Sequence, residues 1–599
     1  MLKSLYDYAI RNKLSLPPGY VNKKVKAYIV LSSKSDDFAD IILDNEKEIA
    51  APDIGSLANG TDKSNVLLEK RSIVFPTEPT LKSAFYLSAM KDAARYEPLL
   101  NPCIRAIENP GQAEKICQLL DREKIKPSDK ICFQVDYRNV LESDAVRIWW
   151  SEYRKQFTGV DAEQLERCLI TGNLTTPMRT AGSVTGLQTV GGHSRGDALI
   201  CFDKSAFESY NLKQAANAPV SEEAMAAVNT ALTALLKKAP TLTGMKLVHW
   251  YDCDVPLHED PFPILIDIAS TIEVEEESEE EMDYQQEKAQ AAEQRFRSLI
   301  ESVESGAHVT PLNAQYHILM LSGVNGRVRI CRYELGTYGE MVAALKQWEE
   351  DLSLTNTDGT GILPACKLTA RFVRLLKYQK GKRDIYKRMD KELSALGPAV
   401  LHSIINGKAL LPDTIAARAL NYIRSELMSS QENDQPHIRL DPIAEQWLKA
   451  WLIRSRNKGG KIMSSYNPEY YELPYYCGAL LAVYGAIQTA AMGNVNASVI
   501  DRYYGSAIQT PALVIGALSR QSKNHLGNLS GGARYYYETI LSEITSKIGN
   551  RHFPATLNLE QQSEFSLGYY QMIARLNRER IEARDAKKQA MLDQVKEEN

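Results

Sequence analysis

The 599-residue sequence predicts an α+β fold, with an N-terminal mixed α/β domain and a C-terminal α-helical bundle. Three observations carry this reading. Up to about residue 270, short runs rich in β-branched and aromatic residues alternate with helical patterns. Residues 316–334 hold a hairpin signal. From about residue 360 onward, helical periodicity runs through short loops with no convincing strand.

The N-terminus, MLKSLYDYAIRNKLSLPPGY, predicts a short amphipathic helix stopped by Pro17-Pro18-Gly19. Strands are expected at VKAYIVLS (25–32), ICFQVDY (131–137), ALICFD (198–203) and MKLVHWYD (245–252). VSEEAMAAVNTALTALLKKA (220–239) reads as a helix capped by Ser221, with Glu222 and Glu223 suiting its N-terminus. Its Val228, Leu232, Leu235 and Leu236 share one face. Like charges as dense as those of EVEEESEEEMD, from residue 273, cannot enter a core, so an acidic linker is expected, with a contact surface for a basic partner as the alternative. In YHILMLSGVNGRVRICRYE, Asn325-Gly326 is the preferred dipeptide of a two-residue hairpin turn. The helix YGEMVAALKQWEEDL follows at 338–352.

These elements suggest four divisions. They are a 1–271 α/β domain, a 272–310 acidic linker and helix, a 311–355 hairpin and helix docking on the N-terminal domain, and a 360–599 helical bundle. Apolar residues make up 44% and charged residues 24%, and the net charge is −4. That balance is ordinary for a globular protein and identifies no partner. Nine cysteines without a Cys-x-x-Cys spacing read as reduced thiols of a cytoplasmic protein. There is no secretory h-region, and the longest apolar run, CGALLAVYGAI, falls well short of the roughly 20 residues that span a bilayer, so no membrane partner is expected.

Gly192-His193-Ser194-Arg195-Gly196 matches the Gly-x-Ser-x-Gly of a hydrolase nucleophile elbow. An elbow needs a strand, a sharp turn and then a helix. Here a Gly-rich polar stretch precedes Ser194 and a strand-like run follows it, so a serine hydrolase is the weaker alternative. The other reading is a loop that can approach a ligand closely through Gly186, Gly191, Gly192 and Gly196. Gln188, His193, Ser194 and Arg195 would supply hydrogen bonds to phosphates or a groove. The loop matches no phosphate-binding nucleotide motif, and no cofactor is indicated.

Three further stretches carry candidate site residues. Asp252, Cys253, Asp254, His258, Glu259 and Asp260 could hold a metal, but their mixed ligand types and Pro256 favour a solvated loop. KLTARFVRLLKYQKGKRDIYKRMDK carries ten Lys and Arg against two Asp. On a helix Lys367, Arg371, Arg374 and Tyr378 form a stripe that Lys382 and Arg383 extend, which is either a phosphate-binding footprint or a solvated face. Asn59, Thr61, Lys63 and Asn65 lie in a turn-rich stretch, where such residues suit either a groove edge or simply a turn.

The stretches CLITGNLTTPMRT, GSVTGLQTVGGHSRGDALICFDKSAFESYNLKQAANAPVSEEA, YHILMLSGVNGRVRICRYELGTYGEM and WLKAWLIRSRNKGGKIM together resemble the large-subunit family of the type I-C CRISPR Cascade. The C-terminal YYCGALLAVYGAIQTAAMGNVNASVIDRYYG and NLEQQSEFSLGYYQ continue the likeness, which runs collinearly to about residue 575. His193 and Arg195 depart from the family loop. The resemblance implies a non-catalytic subunit without cofactor. It would read a protospacer-adjacent motif, assist duplex opening, stabilise the R-loop and recruit a helicase–nuclease. It implies crRNA, target double-stranded DNA, a backbone subunit, a 5′-handle-binding subunit and a small subunit as partners. Apart from the resemblance, a helical protein-interaction adaptor with no nucleic-acid role is a further alternative. On this reading Asn59, Thr61, Lys63, Asn65, Gln188, Gly191, Gly192, His193, Ser194 and Arg195 face the flanking duplex. Lys367, Arg371, Arg374, Tyr378, Lys382 and Arg383 follow the displaced strand.

The resemblance also implies that the C-terminal helices can be made separately. Lys458-Gly459-Gly460 permits the purine-rich run AAAGGAGG just ahead of Met463. A product covering 463–599 would open before Asn467-Pro468-Glu469. Met492 is the rival start, and it would cut away the preceding helix.

Overall fold

The computed structural model describes residues 1–35, 39–44, 48–158, 165–178, 180–202, 204–207, 212, 217–266, 294–359, 361–363, 368–378, 384–407, 409–431, 440–493 and 498–597. The chain is α+β and about 54% helical. It forms two compact units. The first is Met1–Ala239 with Leu321–Ile330, and the second is Pro240–Met320 with Cys331–Asn599. The division thus falls at Ala239 rather than near residue 271, and the hairpin contributes its tip to one unit and its base to the other.

In the first unit β1 (Tyr20–Lys24) pairs antiparallel with β4 (Glu48–Pro52). β2 (Ala27–Leu31) lies between β3 (Ala39–Leu43) and β6 (Lys130–Val135), and β5 (Leu68–Lys70) flanks β6. β2 is buried at all five positions, which explains its unbroken apolar run. It is parallel to β6, with Leu31 opposite Val135. Helices Leu81–Ala93 and Asp144–Tyr153 supply Tyr86, Met90, Trp149 and Trp150 to the core over this sheet. Trp149 Nε1 donates to Asp92 at 2.9 Å, so the large indole is buried without an orphaned donor. The expected N-terminal helix, Leu2–Arg11, packs on Glu222–Lys238, whose N-cap Ser221 accepts from Ala224 N.

The run 198–203 does not form the expected strand. Only Asp197–Ala198 is extended, joined to the hairpin through the single parallel pair Ala198–Arg327. Without a continuing ladder, the apolar residues Leu199–Phe202 stay half-buried coil, and Asp203 lies outside the described residues.

In the second unit Met245–Tyr251 lies beside the hairpin's first arm, Gln315–Val324. The second arm is Arg327–Thr337. Asn325 and Gly326 have φ of 51° and 76°, the left-handed pair expected for this turn. Thr337 and Glu340 close a capping box that starts helix Tyr338–Leu352. Beyond it the regular elements of the described residues are all helices, apart from one isolated bridge, Thr355–Ile362. Helix Leu473–Met492 is apolar around nearly its whole circumference because other helices surround it. It crosses Leu559–Glu597 at Gly478 and Gly568. A Cβ on Gly478 would lie 2.0 Å from Phe565 O, and one on Gly568 would lie 2.1 Å from Tyr475 O. Among the described residues no helix is long and apolar enough to cross a membrane. The acidic run from residue 273 lies outside the described residues, from 267 to 293.

Candidate nucleic-acid interface

The Gly-rich loop is a built turn. A 3-10 turn, Gln188–Val190, leads into Gly191 at φ 86°. Gly192 N donates to Leu187 O at 2.8 Å, and Gly196 N to His193 O at 3.0 Å. Asp197 is fully buried, and both its carboxylate oxygens accept the His193 N–H at 3.1 Å. A buried carboxylate held this way fixes the backbone around it. Gln188 Nε2 donates to Ser194 O at 3.3 Å, closing the turn from outside.

The turn leans backbone-to-backbone on the hairpin. Gly191 faces Gly323 O, and a Cβ on Gly192 would meet Asp197 Oδ2 at 2.4 Å. Gly191 and Gly192 are therefore required by packing inside the unit. The side chains left facing solvent are Gln188, Thr189, His193, Ser194 and Arg195. His193 Nδ1 accepts the Arg195 N–H at 3.1 Å, which puts a neutral ring's proton on Nε2. This geometry is not a nucleophile elbow, because the chain passes from a 3-10 turn through Ser194 into a two-residue strand.

The 59–65 loop divides in two. Asn59 and Thr61 are exposed, and Lys63 pairs with Asp62 at 3.2 Å. Asn65 turns inward: its Oδ1 accepts Ile54 N at 3.2 Å and its own N–H goes to Glu69 at 3.0 Å. It braces the loop instead of lining its outer edge.

The basic stripe is not a solvent-facing row. Arg371 is 1% exposed and donates to Gln446 Oε1 at 2.9 Å. Arg374 pairs with Asp441 at 3.1 Å, and Tyr378 packs edge-on against Tyr422. The cause is local: regular helix stops at Val373, so the stripe's geometry never extends. A buried guanidinium cannot meet a phosphate backbone in this conformation. Lys367, Lys382 and Arg383 lie outside the described residues.

The 252–260 carboxylates are occupied by structure. Glu259 is buried and accepts Val309 N at 2.7 Å and Thr310 N at 2.8 Å. Burial alone would raise its pKa, and these donors with the Thr310 hydroxyl override burial and lower it. Asp260 accepts from Tyr251 OH at 2.7 Å and faces His249 Nε2 at 2.8 Å. Among the described residues no group of His, Cys, Asp and Glu is arranged to hold a metal ion.

Met463 is half-exposed between helices Pro442–Ser455 and Leu473–Met492, and its carbonyl accepts from Gln571 Nε2 at 2.9 Å. Just upstream, Lys458 Nζ sits among Glu472 at 2.8 Å, Glu560 at 3.2 Å and Glu564 at 3.2 Å.

Two surfaces escaped the sequence reading. At the hairpin tip, Lys204, Asn325, Arg327 and Arg329 line an open depression in the unit that holds the Gly-rich loop. The hairpin signal was plain, but the role of its arginines depends on Gly323 meeting Gly192. In the helical unit, Asp501 is the single acid between Leu473 and Tyr537, in a chain with 75 Asp and Glu. That acid is taken up in the Ser498 capping box. Arg502, Arg520 and Lys523 are exposed there and make no salt bridge among the described residues. A missing charge is the signal that could have revealed this face.

No curated protein matches the chain. The family model described as CRISPR-associated protein (Cas_Csd1) matches residues 2–576, in agreement with the resemblance to the type I-C Cascade large subunit. The chain belongs to the CRISPR-associated Cas_Csd1 family.

Proposed function

We propose that this protein is the non-catalytic large subunit of an RNA-guided DNA surveillance complex of type I-C and reads the motif flanking the target. The observation that carries this is the Gly-rich turn. Its backbone is fixed by Asp197 and Gly323, while Gln188, His193, Ser194 and Arg195 face outward. A rigid turn that offers donors without bulk suits a DNA groove, where base edges and phosphates are read at close range. Asn59, Thr61 and Lys63 form a second contact, with Asn65 as their brace. Arg327, Arg329 and Lys204 add positive charge beside the same turn. In such complexes base pairing reads sequence, and protein reads the short motif and the backbone. The partners are then crRNA, target duplex, the backbone, 5′-handle-binding and small subunits, and a helicase–nuclease. The acid-poor segment with Arg502, Arg520 and Lys523 replaces the 367–383 stripe as the surface for the displaced strand.

The test compares assembled complex carrying Gln188→Ala with Arg195→Ala against the parent, on duplexes with and without the flanking motif. Weaker binding to the motif duplex alone is expected. Equal affinity of both proteins for that duplex overturns the reading.

The small subunit is proposed to start at Met463 of the same message. The product would keep the five described helices from Leu473 onward. Synonymous recoding of codons 458–460 should remove it and spare the full chain.

A further inference from the structure

Two loops meet at one end of the central strands of the first unit's sheet. β2 and β6 are parallel neighbours, so both leave the sheet on the same side. β2 continues into Ser32-Ser33-Lys34-Ser35, and β6 into Asp136-Tyr137-Arg138. The carboxyl ends of parallel strands are where α/β sheets commonly take ligands. Asp136 ties the loops together, its Oδ1 accepting Ser33 N at 3.0 Å.

The turn after β6 carries unusual residues for its shape. The chain folds straight back, with Val135 paired to Arg138, so Asp136 and Tyr137 are the two central residues. Their φ values are 50° and 62°. Asn-Gly is the ordinary choice for such a left-handed pair, and a bulky residue there is strained. Burial does not compensate, because Tyr137 is 64% exposed. Strain of this kind clusters at functional sites. Lys34 and Arg138 are both exposed on the same two loops, and neither forms a salt bridge among the described residues. An aromatic face held in solvent, with cations on either loop, fits an unpaired base and its flanking phosphates.

We propose that Tyr137, with Lys34 and Arg138, is a stacking site for an unpaired base of a single-stranded nucleic acid. The site is separate from the Gly-rich turn and does not depend on motif reading. Base stacking explains why a tyrosine occupies a position that suits glycine.

The experiment is a fluorescence-anisotropy titration of the full chain with short unstructured single strands, one RNA and one DNA. Tyr137→Gly relieves the backbone and removes the ring. It should melt no lower than the parent yet bind at least about fivefold more weakly, the low end for lost base stacking. Tyr137→Phe keeps the ring and should bind like the parent. The strand whose affinity falls identifies the source of the base. Parent-like affinity of Tyr137→Gly for both strands overturns the proposal. A Tyr137→Gly protein that melts lower also overturns it, because the ring is then structural.

Discussion

Gly323 stands so close to Gly192 that it cannot carry a side chain: a Cβ on Gly323 would lie 2.1 Å from Gly192 Cα. Two segments distant in sequence thereby form one surface. Gly323→Ala must push the turn and the hairpin tip apart. The cost expected for such overpacking is about 1–3 kcal/mol. A lowered thermal midpoint, together with weaker binding to motif-bearing duplex, is the expected outcome. An alanine variant that melts and binds like the parent would show that the two backbones are not in contact.

Asp197 makes a separate prediction about the same turn. Its carboxylate is the acceptor for the His193 N–H. Asp197→Ala leaves that donor unsatisfied at a cost of about 1–3 kcal/mol. The loop should loosen before the unit unfolds, so hydrogen exchange at residues 191–197 should accelerate more than at β2. Uniform acceleration across both would mean that Asp197 supports the whole unit instead.

Most elements were legible in the sequence because each rests on local chemistry, the strand expected at 198–203 being an exception. Asn325-Gly326 announces the hairpin, Ser221 the helix start, and the apolar run of β2 a strand buried on both faces. The interface was less legible. Gly191 and Gly192 suggested closeness to a ligand, yet Gly191 faces Gly323 and Gly192 faces Asp197 and Leu187. Asn65 suggested a groove contact, yet its amide oxygen caps Ile54. Both cases have one cause: a residue type suited to a ligand suits the protein's own backbone equally, and only tertiary structure distinguishes them. The stripe from Lys367 failed differently, because periodicity assumed a helix longer than Leu368–Val373.

That difference can be measured. Arg371→Ala removes a buried side chain and leaves Gln446 without its donor. It should destabilise the protein by about 2–4 kcal/mol and leave the salt dependence of DNA binding unchanged. Arg520→Glu with Lys523→Glu should do the reverse, keeping stability and flattening the plot of log affinity against log salt. An unaltered slope in the double variant would remove this face from the strand path.

The last prediction concerns pH. Glu445 is fully buried; burial pushes its pKa up to about 8 from the ordinary 4.5, and Asp441 adds to the rise. The Ser566 hydroxyl donates to its Oε1 and in turn meets Tyr504 OH at 2.7 Å. Oε2 has no hydrogen-bond partner among the described residues. The folded state therefore holds a proton that the unfolded chain releases at lower pH. Between about pH 4.5 and 8 the folded state binds more protons, so this group's contribution to stability falls as pH rises. The loss is at most about 1.4 kcal/mol per pH unit. Glu445→Gln keeps the oxygen that Ser566 needs and cannot ionise. Urea unfolding of both proteins at about pH 5, 6.5 and 8 should show the variant gaining on the parent as pH rises. Parallel pH profiles for the two proteins would mean that Glu445 is already ionised in the fold, and that a cation or water chain reaches Oε2.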